Sequence, residues 1–185
     1  NNFDNPLGTD ELGRDVFSRI VYGTQVSLKV GYIVMAITAV FGTLLGLISA
    51  YYGGWVDNII MRITDIFLSF PPLLLALVVV AILGTGLENA MLAISLVYIP
   101  QMARVVRSAV LSVKELPYVE ASRSLGAKNR FIIFRHILPN ILAPSVVYLT
   151  LLLADAILYT SAFGFLGIGI DPSTPEWGAM LSSGR

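Results

Sequence analysis

The sequence predicts an all-α, polytopic integral membrane protein. Of its 185 residues, 56% are hydrophobic and only 13% are charged, whereas a soluble domain carries about 25% charged residues. The apolar residues form long runs, and about four of these runs are long enough to cross a bilayer as helices. The chain has no cysteine and a single histidine, His136, which excludes disulfides, thiolate metal sites and histidine clusters. We therefore expect no metal site and no cofactor.

The first 25 residues are polar to amphipathic and are expected to form a segment of their own, 1–25. Thr9 or Asp10 can cap a short helix that runs to Tyr22, with Gly23 as its stop. Its apolar stripe favours packing against the protein itself. A helix that lies in the membrane interface is the alternative.

The first expected span is the uncharged run from Val30 to Tyr52, which is about 35 Å long as a helix. Small residues recur in it at every fourth position, namely Thr38, Gly42, Gly46 and Ala50. Such a face lets a second helix approach closely. We therefore expect Gly42 and Gly46 to be helix-packing positions.

The second expected span runs from Ile66 to Leu87 and contains the adjacent prolines Pro71 and Pro72. Two prolines remove two backbone donors, so the helix must kink or break there. In a bilayer the freed carbonyls must be satisfied by protein or by a cavity. A simple kink is one interpretation, and a lining of a pathway through the membrane is the other.

The third expected span is Ala90–Val113, interrupted at Pro100, and the fourth runs from Ile141 to about Gly164. Arg104 and Arg107 lie near the end of the third span, where such side chains can snorkel to the interface. The fourth span contains Asp155, and an acid inside a span marks a functional site by default. A hydrogen bond near the outer interface is the plainer interpretation.

The long polar segment between the third and fourth spans fixes the orientation of the chain. From Arg104 to Arg135 there are seven basic and two acidic residues, a net charge of +5 (7 − 2). The positive-inside rule places this segment in the cytoplasm and explains its charge better than nucleic-acid binding does. Counting spans backwards then places residues 1–25 outside, and a cytoplasmic N-terminus would need one further span upstream.

Local signals divide this polar segment into two helices. Pro117 suits a first helical position, Glu120 lies in the first turn near the positive end of the helix dipole, and Gly126 is a helix stop. A second helix is expected to run to Leu138 and to be closed by Pro139. Spacings of three and four place its apolar residues on one face: Phe131, Phe134, Ile137 and Leu138.

The same segment resembles the EAA motif of ABC-importer permeases. That motif reads Glu-Ala-Ala, three residues, Gly, nine residues, Ile, one residue, Leu-Pro. Here Ser122 replaces the third alanine and His136 replaces the isoleucine. The resemblance implies a coupling loop, 115–138, that docks on an ATP-binding subunit, with Leu138 and Pro139 as structural positions. The docking residues it implies are Glu120, Ala121, Ser122, Arg123, Gly126 and Lys128.

Two further blocks, 7–19 and 175–181, resemble the C-type permeases of peptide and nickel importers. The resemblance implies a type I ABC transmembrane domain over 26–185, with about four of six spans and a truncated C-terminus. It also implies a multi-pass location in the inner membrane and import of di- or oligopeptides, or of nickel. The implied partners are a homologous second permease, two ATP-binding subunits, an extracytoplasmic substrate-binding protein and the lipid bilayer.

Two other classes of function are weighed against this one. A proton-coupled secondary carrier would use Asp155, but such a carrier usually has more than one buried ionisable residue. An intramembrane enzyme would need catalytic groups, and the spans contain no Ser/His pair, no paired aspartates and no metal-ligand spacing. The chain also lacks a phosphate-binding Gly-x-x-x-x-Gly-Lys-Ser/Thr loop, so it is not expected to hydrolyse ATP itself.

Overall fold

The computed structural model describes residues 6–168 and 175–183. These ranges are helical and contain no strand, only an isolated bridge between Thr9 and Asp15, so the all-α prediction is confirmed. The helices, with one π segment, are α1 Val16–Tyr52, α2 Gly54–Leu68, α3 Pro72–Leu83, α4 Leu87–Lys114, α5 Pro117–Ser124, α6 Asn129–Ile132, the π segment Ile133–Ile137, α7 Leu138–Phe165 and α8 Trp177–Ser183.

Three helical runs among the described residues are long and apolar enough to cross a membrane. They are α1, α4 and the continuous run Asn129–Phe165. The pair α2 and α3 makes a fourth span if the two helices are counted as one broken span. The predicted first, third and fourth spans all lie within these helices, so the polytopic prediction is confirmed.

The start of α1 differs from the sequence prediction, because the helix begins at Val16 and passes through Gly23 without stopping. Asp15 is the capping residue, since its carboxylate accepts a hydrogen bond of 2.9 Å from the Ser18 N–H. Asp10 instead closes the preceding loop, where its carboxylate accepts the N–H of Arg14 at 2.9 Å. That hydrogen bond holds the pKa of Asp10 below its ordinary value. The predicted boundary after residue 25 falls inside α1 and stays a prediction.

Within the second predicted span, Ile66 to Leu87, the helix breaks, which is one of the two outcomes that its adjacent prolines predict. Helix α2 ends at Leu68 and α3 begins at Pro72, so the two prolines break the helix. Pro72 takes a first helical position, where the missing N–H costs nothing. By contrast, the interruption predicted at Pro100 is wrong, because α4 continues through this proline.

One compact unit comprises residues 36–72 and 96–152. Its apolar core includes Leu47, Ala50, Met102, Val106, Val110, Val119, Ile132, Ile137 and Ile141. Helix α1 packs directly on α4 through its small residues. A Cβ added to Gly42 would lie 2.6 Å from Met102 Cβ, and one added to Gly46 would overlap the Ala103 carbonyl oxygen. These two glycines therefore lie where the helices are in closest contact.

The described residues of the other compact unit come from 1–35, 73–95 and 153–185. In it, the short helix α8 docks against the ends of α1 and α7. Glu176 is fully buried and caps α8, accepting the Ala179 N–H at 2.9 Å and the Ser161 hydroxyl at 3.3 Å. The indole N–H of Trp177 donates to the Ile20 carbonyl at 3.3 Å.

Two prolines within 171–177 predict an exposed loop, and the structure corrects this expectation at Glu176. Residues 171–174 lie outside the described ranges, but Glu176 is buried and Trp177 contacts α1. Trp177 also packs against Gly23, which lies inside α1. A Cβ on Gly23 would lie 3.1 Å from Trp177 Cδ1, so this glycine makes room for the indole ring.

Candidate functional site

Helix α5 is the first element of the polar segment 115–138, and its start follows from its sequence. Pro117 occupies the first helical position, as predicted, and the Leu116 carbonyl accepts the N–H groups of Val119 and Glu120 at 2.9 and 3.2 Å. Val119 is fully buried and anchors α5 in the core of its unit. Glu120 lies in the first turn, where the helix dipole favours a carboxylate.

Gly126 forms the corner after α5 and adopts a left-handed conformation, with φ +80°. The Gly126 N–H donates to the Arg123 carbonyl at 3.0 Å, and the Ala127 N–H donates to the Ser122 carbonyl at 3.1 Å. This is the Schellman pattern, in which two otherwise unpaired carbonyls at a helix end are satisfied. A Cβ at Gly126 would meet no atom within 4 Å, so the corner is open on its outer side.

The predicted docking residues lie together around this corner and are accessible. Ser122 is half-buried, and the other five are exposed, namely Glu120, Ala121, Arg123, Gly126 and Lys128. Leu125, at the tip, is 88% exposed, although nothing in the helical pattern had singled it out. A single exposed apolar side chain is common on protein surfaces, so the finding here is the accessibility of the corner as a whole.

The helix after the corner differs from its prediction in two ways. Pro139 does not close it, because α6, the π segment and α7 form one continuous run from Asn129 to Phe165. The predicted apolar face is only partly buried, since Ile137 and Leu138 face the protein but the two phenylalanines do not. Phe131 and Phe134 are 51% and 69% exposed, whereas Ile132 and Ile137 are fully buried.

The π segment accounts for both differences. Residues five apart point about 140° away from each other in an α-helix, which advances about 100° per residue. The i→i+5 bonding of a π turn brings them to the same side, and Ile132 and Ile137 are buried together in this way. The Leu138 N–H donates to the Ile133 carbonyl. Pro139 follows and has no backbone N–H, so it needs no acceptor in the turn before it.

A cluster of charged residues joins α2 to α4 and was not foreseen from the sequence. Arg107 Nε and Nη2 donate to the two oxygens of Asp57, each at 2.6 Å, and the Ser49 hydroxyl also donates to Asp57. Lys114 Nζ donates to the Ala50 carbonyl at 2.9 Å, at the end of α1. Arg104 pairs with Asp65 through one bond of 2.6 Å.

These ion pairs add protein partners to Arg104 and Arg107, for which the sequence predicted only that they can reach the membrane interface. The only sequence signal for them was that Asp57 and Asp65 lie about two turns apart on α2. The arginines lie one turn apart on a helix far along the chain. The periodicity of one helix shows which of its residues share a face, but it does not show which residues of another helix that face will contact.

Comparison with known proteins agrees with this geometry. Residues 42–185 match the family described as binding-protein-dependent transport system inner membrane component.

The chain belongs to this family.

Curated members of the family are similar over almost the whole chain. The dipeptide transport system permease protein DppC of Alkalihalophilus pseudofirmus is 52% identical over 179 residues, which is 97% of this chain and 59% of the relative. The glutathione transport system permease protein GsiD of Pectobacterium atrosepticum is 46% identical over 179 residues, 97% of this chain and 60% of the relative. The chain thus spans about three fifths of the length of these relatives.

A solved structure shows the same fold. The inward-facing MetNI methionine ABC transporter matches with a TM-score of 0.71 at 24% identity, covering 91% of this chain and 86% of the matched chain. The resemblance to ABC-importer permeases is confirmed by these matches. This family member is a multi-pass component of the inner membrane.

The three residues predicted to line a pathway occupy different positions in this inner membrane component. Pro71 is exposed in the break before α3, and Pro72 is half-buried at the start of that helix. Asp155 is exposed on α7, on the same side as Leu151 and Leu158, which are 65% and 67% exposed. Their role in transport stays a prediction.

The ion pairs Arg107–Asp57 and Arg104–Asp65 are expected to contribute different amounts to the free energy of unfolding. Arg107→Gln should lower the free energy of unfolding by about 2–3 kcal/mol, between the values typical of exposed and of fully buried pairs. The reason is that the side chain of Asp57 is only 16% exposed and would lose two charge-assisted hydrogen bonds. Thermal unfolding of the full-length protein in detergent measures the difference.

Arg104→Gln is the matched control, because Arg104 and Asp65 are both 55% exposed. This change should alter stability by less than about 1 kcal/mol. Equal unfolding temperatures for the two variants would contradict the distinction. A double variant, Asp57→Asn with Arg107→Gln, should recover part of the loss, because it leaves no unpaired charge at the site.

Proposed function

We propose that the chain is the transmembrane permease subunit of an ATP-driven importer of di- or oligopeptides. Its partners are a homologous second permease, two ATP-binding subunits and an extracytoplasmic substrate-binding protein that delivers the cargo. The relatives described above are permeases of dipeptide and glutathione systems, and both cargoes are peptides with free carboxylates. Nickel is not part of the proposal, since neither of these relatives transports it by name.

The observation that carries the proposal is the exposed corner formed by α5, Gly126 and α6. It is rigid at its base, because Val119 and Ile132 are fully buried on either side of it. It is accessible at its tip, where Glu120, Leu125 and Lys128 are exposed. When an ATP-binding subunit is docked on a rigid, exposed element of this kind, a movement of that subunit can displace the element.

The route from this corner into the membrane is continuous helix. The run Asn129–Phe165 contains no break, since the π segment keeps α6 joined to α7. In the proposed mechanism, closure of the ATP-binding subunits moves the corner, and α6 and α7 carry that movement into the spans. Substrate access then alternates between the two sides of the membrane, and hydrolysis on the partner subunits resets the cycle.

The test is uptake of a labelled dipeptide by proteoliposomes that contain the full-length permease with its partner subunits. Uptake should require ATP on the side of the membrane where the ATP-binding subunits lie. It should persist when an uncoupler removes the proton gradient. Asp155→Asn should retain most of this uptake, because ATP and not a proton supplies the energy. Uptake that is lost both with the uncoupler and in Asp155→Asn would instead support a proton-coupled secondary carrier.

A further inference from the structure

The unit formed by 36–72 and 96–152 contains an open cavity that none of the functions above has used. Its volume is about 560 Å³, and it is lined by Leu68, Gln101, Arg104, Val105, Ser108 and Tyr148. This volume lies within the range of small-molecule sites, about 300–1,000 Å³. The cavity combines two apolar side chains with four that can form hydrogen bonds, so its lining is more polar than that of most small-molecule sites.

The polar groups of the cavity are mainly hydrogen-bond donors. The Tyr148 hydroxyl donates to Gln101 Oε1 at 3.0 Å, so the amide of Gln101 has its NH₂ group left to offer a ligand. Ser108 is exposed and adds a hydroxyl. Arg104 adds a guanidinium, which carries five N–H donors and no acceptor. Arg104 is paired with Asp65 through Nη2 alone, and its remaining N–H donors suit a planar carboxylate, which a guanidinium can bind in a bidentate manner.

Arg104 is available to a ligand, whereas its neighbour Arg107 is not. Arg104 contacts Asp65 through Nη2 alone, and both side chains are 55% exposed. An exposed pair of this kind contributes little to stability, so Asp65 can be exchanged for another carboxylate at small cost. Arg107 is held by Asp57 through two bonds, with side-chain exposures of 31% and 16%.

We propose that this cavity is a subsite for the carboxylate end of a transported peptide. Arg104 pairs with the carboxylate, Gln101 and Ser108 donate hydrogen bonds to it, and Leu68 and Val105 contact the apolar part of the peptide. The guanidinium of Arg104, near the end of the predicted third span, offers the carboxylate a charged partner of matching planar geometry. The inference rests on the proposed peptide import and adds to it the chemical group that the permease recognises.

The absence of cysteine from this sequence makes a direct probe possible. Ser108→Cys places a thiol in the cavity, and the rate of its modification by a soluble thiol reagent is measured in the assembled importer, purified without the substrate-binding protein. Any other cysteine of the full-length proteins is first replaced. Saturating alanylalanine should slow modification about tenfold, and alanylalanine amide, which lacks the carboxylate, should have little effect.

Two control variants sharpen the test. Ser112→Cys lies one turn further along α4 and does not line the cavity, so alanylalanine should leave its modification rate unchanged. Arg104→Gln in the Ser108→Cys background should abolish the protection, and Arg104→Lys, which keeps the charge but not the planar fork, should retain part of it. The yield of assembled importer should not change, because the Arg104 pair is exposed.

Three outcomes would overturn the inference. They are no protection of Ser108→Cys by alanylalanine, equal protection by the amide, and unchanged protection in Arg104→Gln. Equal protection of Ser112→Cys would also overturn it, because the effect would then be a general conformational change. These results leave the proposed function intact if ATP-driven dipeptide uptake is observed. Failure of the proposed function is recognised separately, by the absence of that uptake.

Discussion

Gly126→Val is expected to abolish transport while leaving the chain inserted in the membrane. Gly126 has a φ of +80°, and a Cβ in the left-handed region costs roughly 1–2 kcal/mol. The strain acts on the two hydrogen bonds that close α5, from the N–H groups of Gly126 and Ala127. The corner would open, and the surface proposed to meet the ATP-binding subunit would lose its shape. Complex yield and substrate-stimulated ATP hydrolysis of the purified importer measure the effect.

A second variant separates backbone strain from bulk. Asparagine tolerates the left-handed conformation better than other residues with a Cβ, so Gly126→Asn adds a side chain with less strain. If only Gly126→Val is defective, the conformation of the corner matters. If both are defective, the corner has no room for a side chain in the docked complex.

Glu120→Ala provides a graded comparison with the corner variants. It should cause a milder form of the same defect, since it removes a charge without adding bulk. Normal assembly together with normal coupled hydrolysis in Gly126→Val would show that this corner does not transmit the movement.

Gly46→Ala is expected to disturb the packing of α1 on α4 more than any exposed substitution on the same helix. The new Cβ would overlap the Ala103 carbonyl oxygen and lie 2.8 Å from Val106 Cβ. A backbone oxygen cannot rotate away, so the helices must separate. Overpacking of this kind costs about 1–3 kcal/mol. The thermal unfolding midpoint of the full-length protein in detergent should fall by several degrees.

Leu44→Ala is the matched control, because Leu44 lies on the same helix but is 51% exposed. It should change the midpoint little. Gly46→Leu should have a larger effect than Gly46→Ala and should reduce the amount of protein that accumulates in the membrane. A midpoint for Gly46→Ala equal to that of the unsubstituted protein would show that α1 and α4 are not in tight contact there.

Local signals in the sequence predicted much of the polar segment. Pro117 begins α5 and Gly126 adopts the left-handed corner, because each residue's backbone preference is a property of that residue alone. The same holds for the break at Pro71 and Pro72. Long uncharged runs predicted the spans, since the bilayer requires a minimum apolar length.

Features that depend on contacts between distant residues could not be predicted from local patterns in the sequence. Gly23 lies inside α1 and leaves room for Trp177, and no local pattern in the sequence predicts that contact. Arg107 meets Asp57, which is 50 residues away. The spacing of Phe131 and Phe134 fits one face of an α-helix. The π turn changes which residues lie on the same side, and a pattern search with the α-helical period of 3.6 residues per turn cannot predict a wider turn.

The π segment also determines where the chain can tolerate a change in length. Ile132 and Ile137 lie on the same side of this helix although they are five residues apart. An α-helix brings residues to the same side at a separation of four, so the π segment contains one residue more. A homologous chain shorter by one residue at 133–137 could therefore bury the same two isoleucines in an ordinary α-helix, with α7 in unchanged rotational register. A deletion elsewhere in Asn129–Phe165 would instead rotate everything beyond it by about 100°. The EAA motif keeps nine residues between its glycine and its isoleucine, so homologues with that spacing should keep the π turn, whereas an engineered deletion of one residue at 133–137 should be tolerated better than a deletion elsewhere in the run, because Phe134 and Arg135 are exposed.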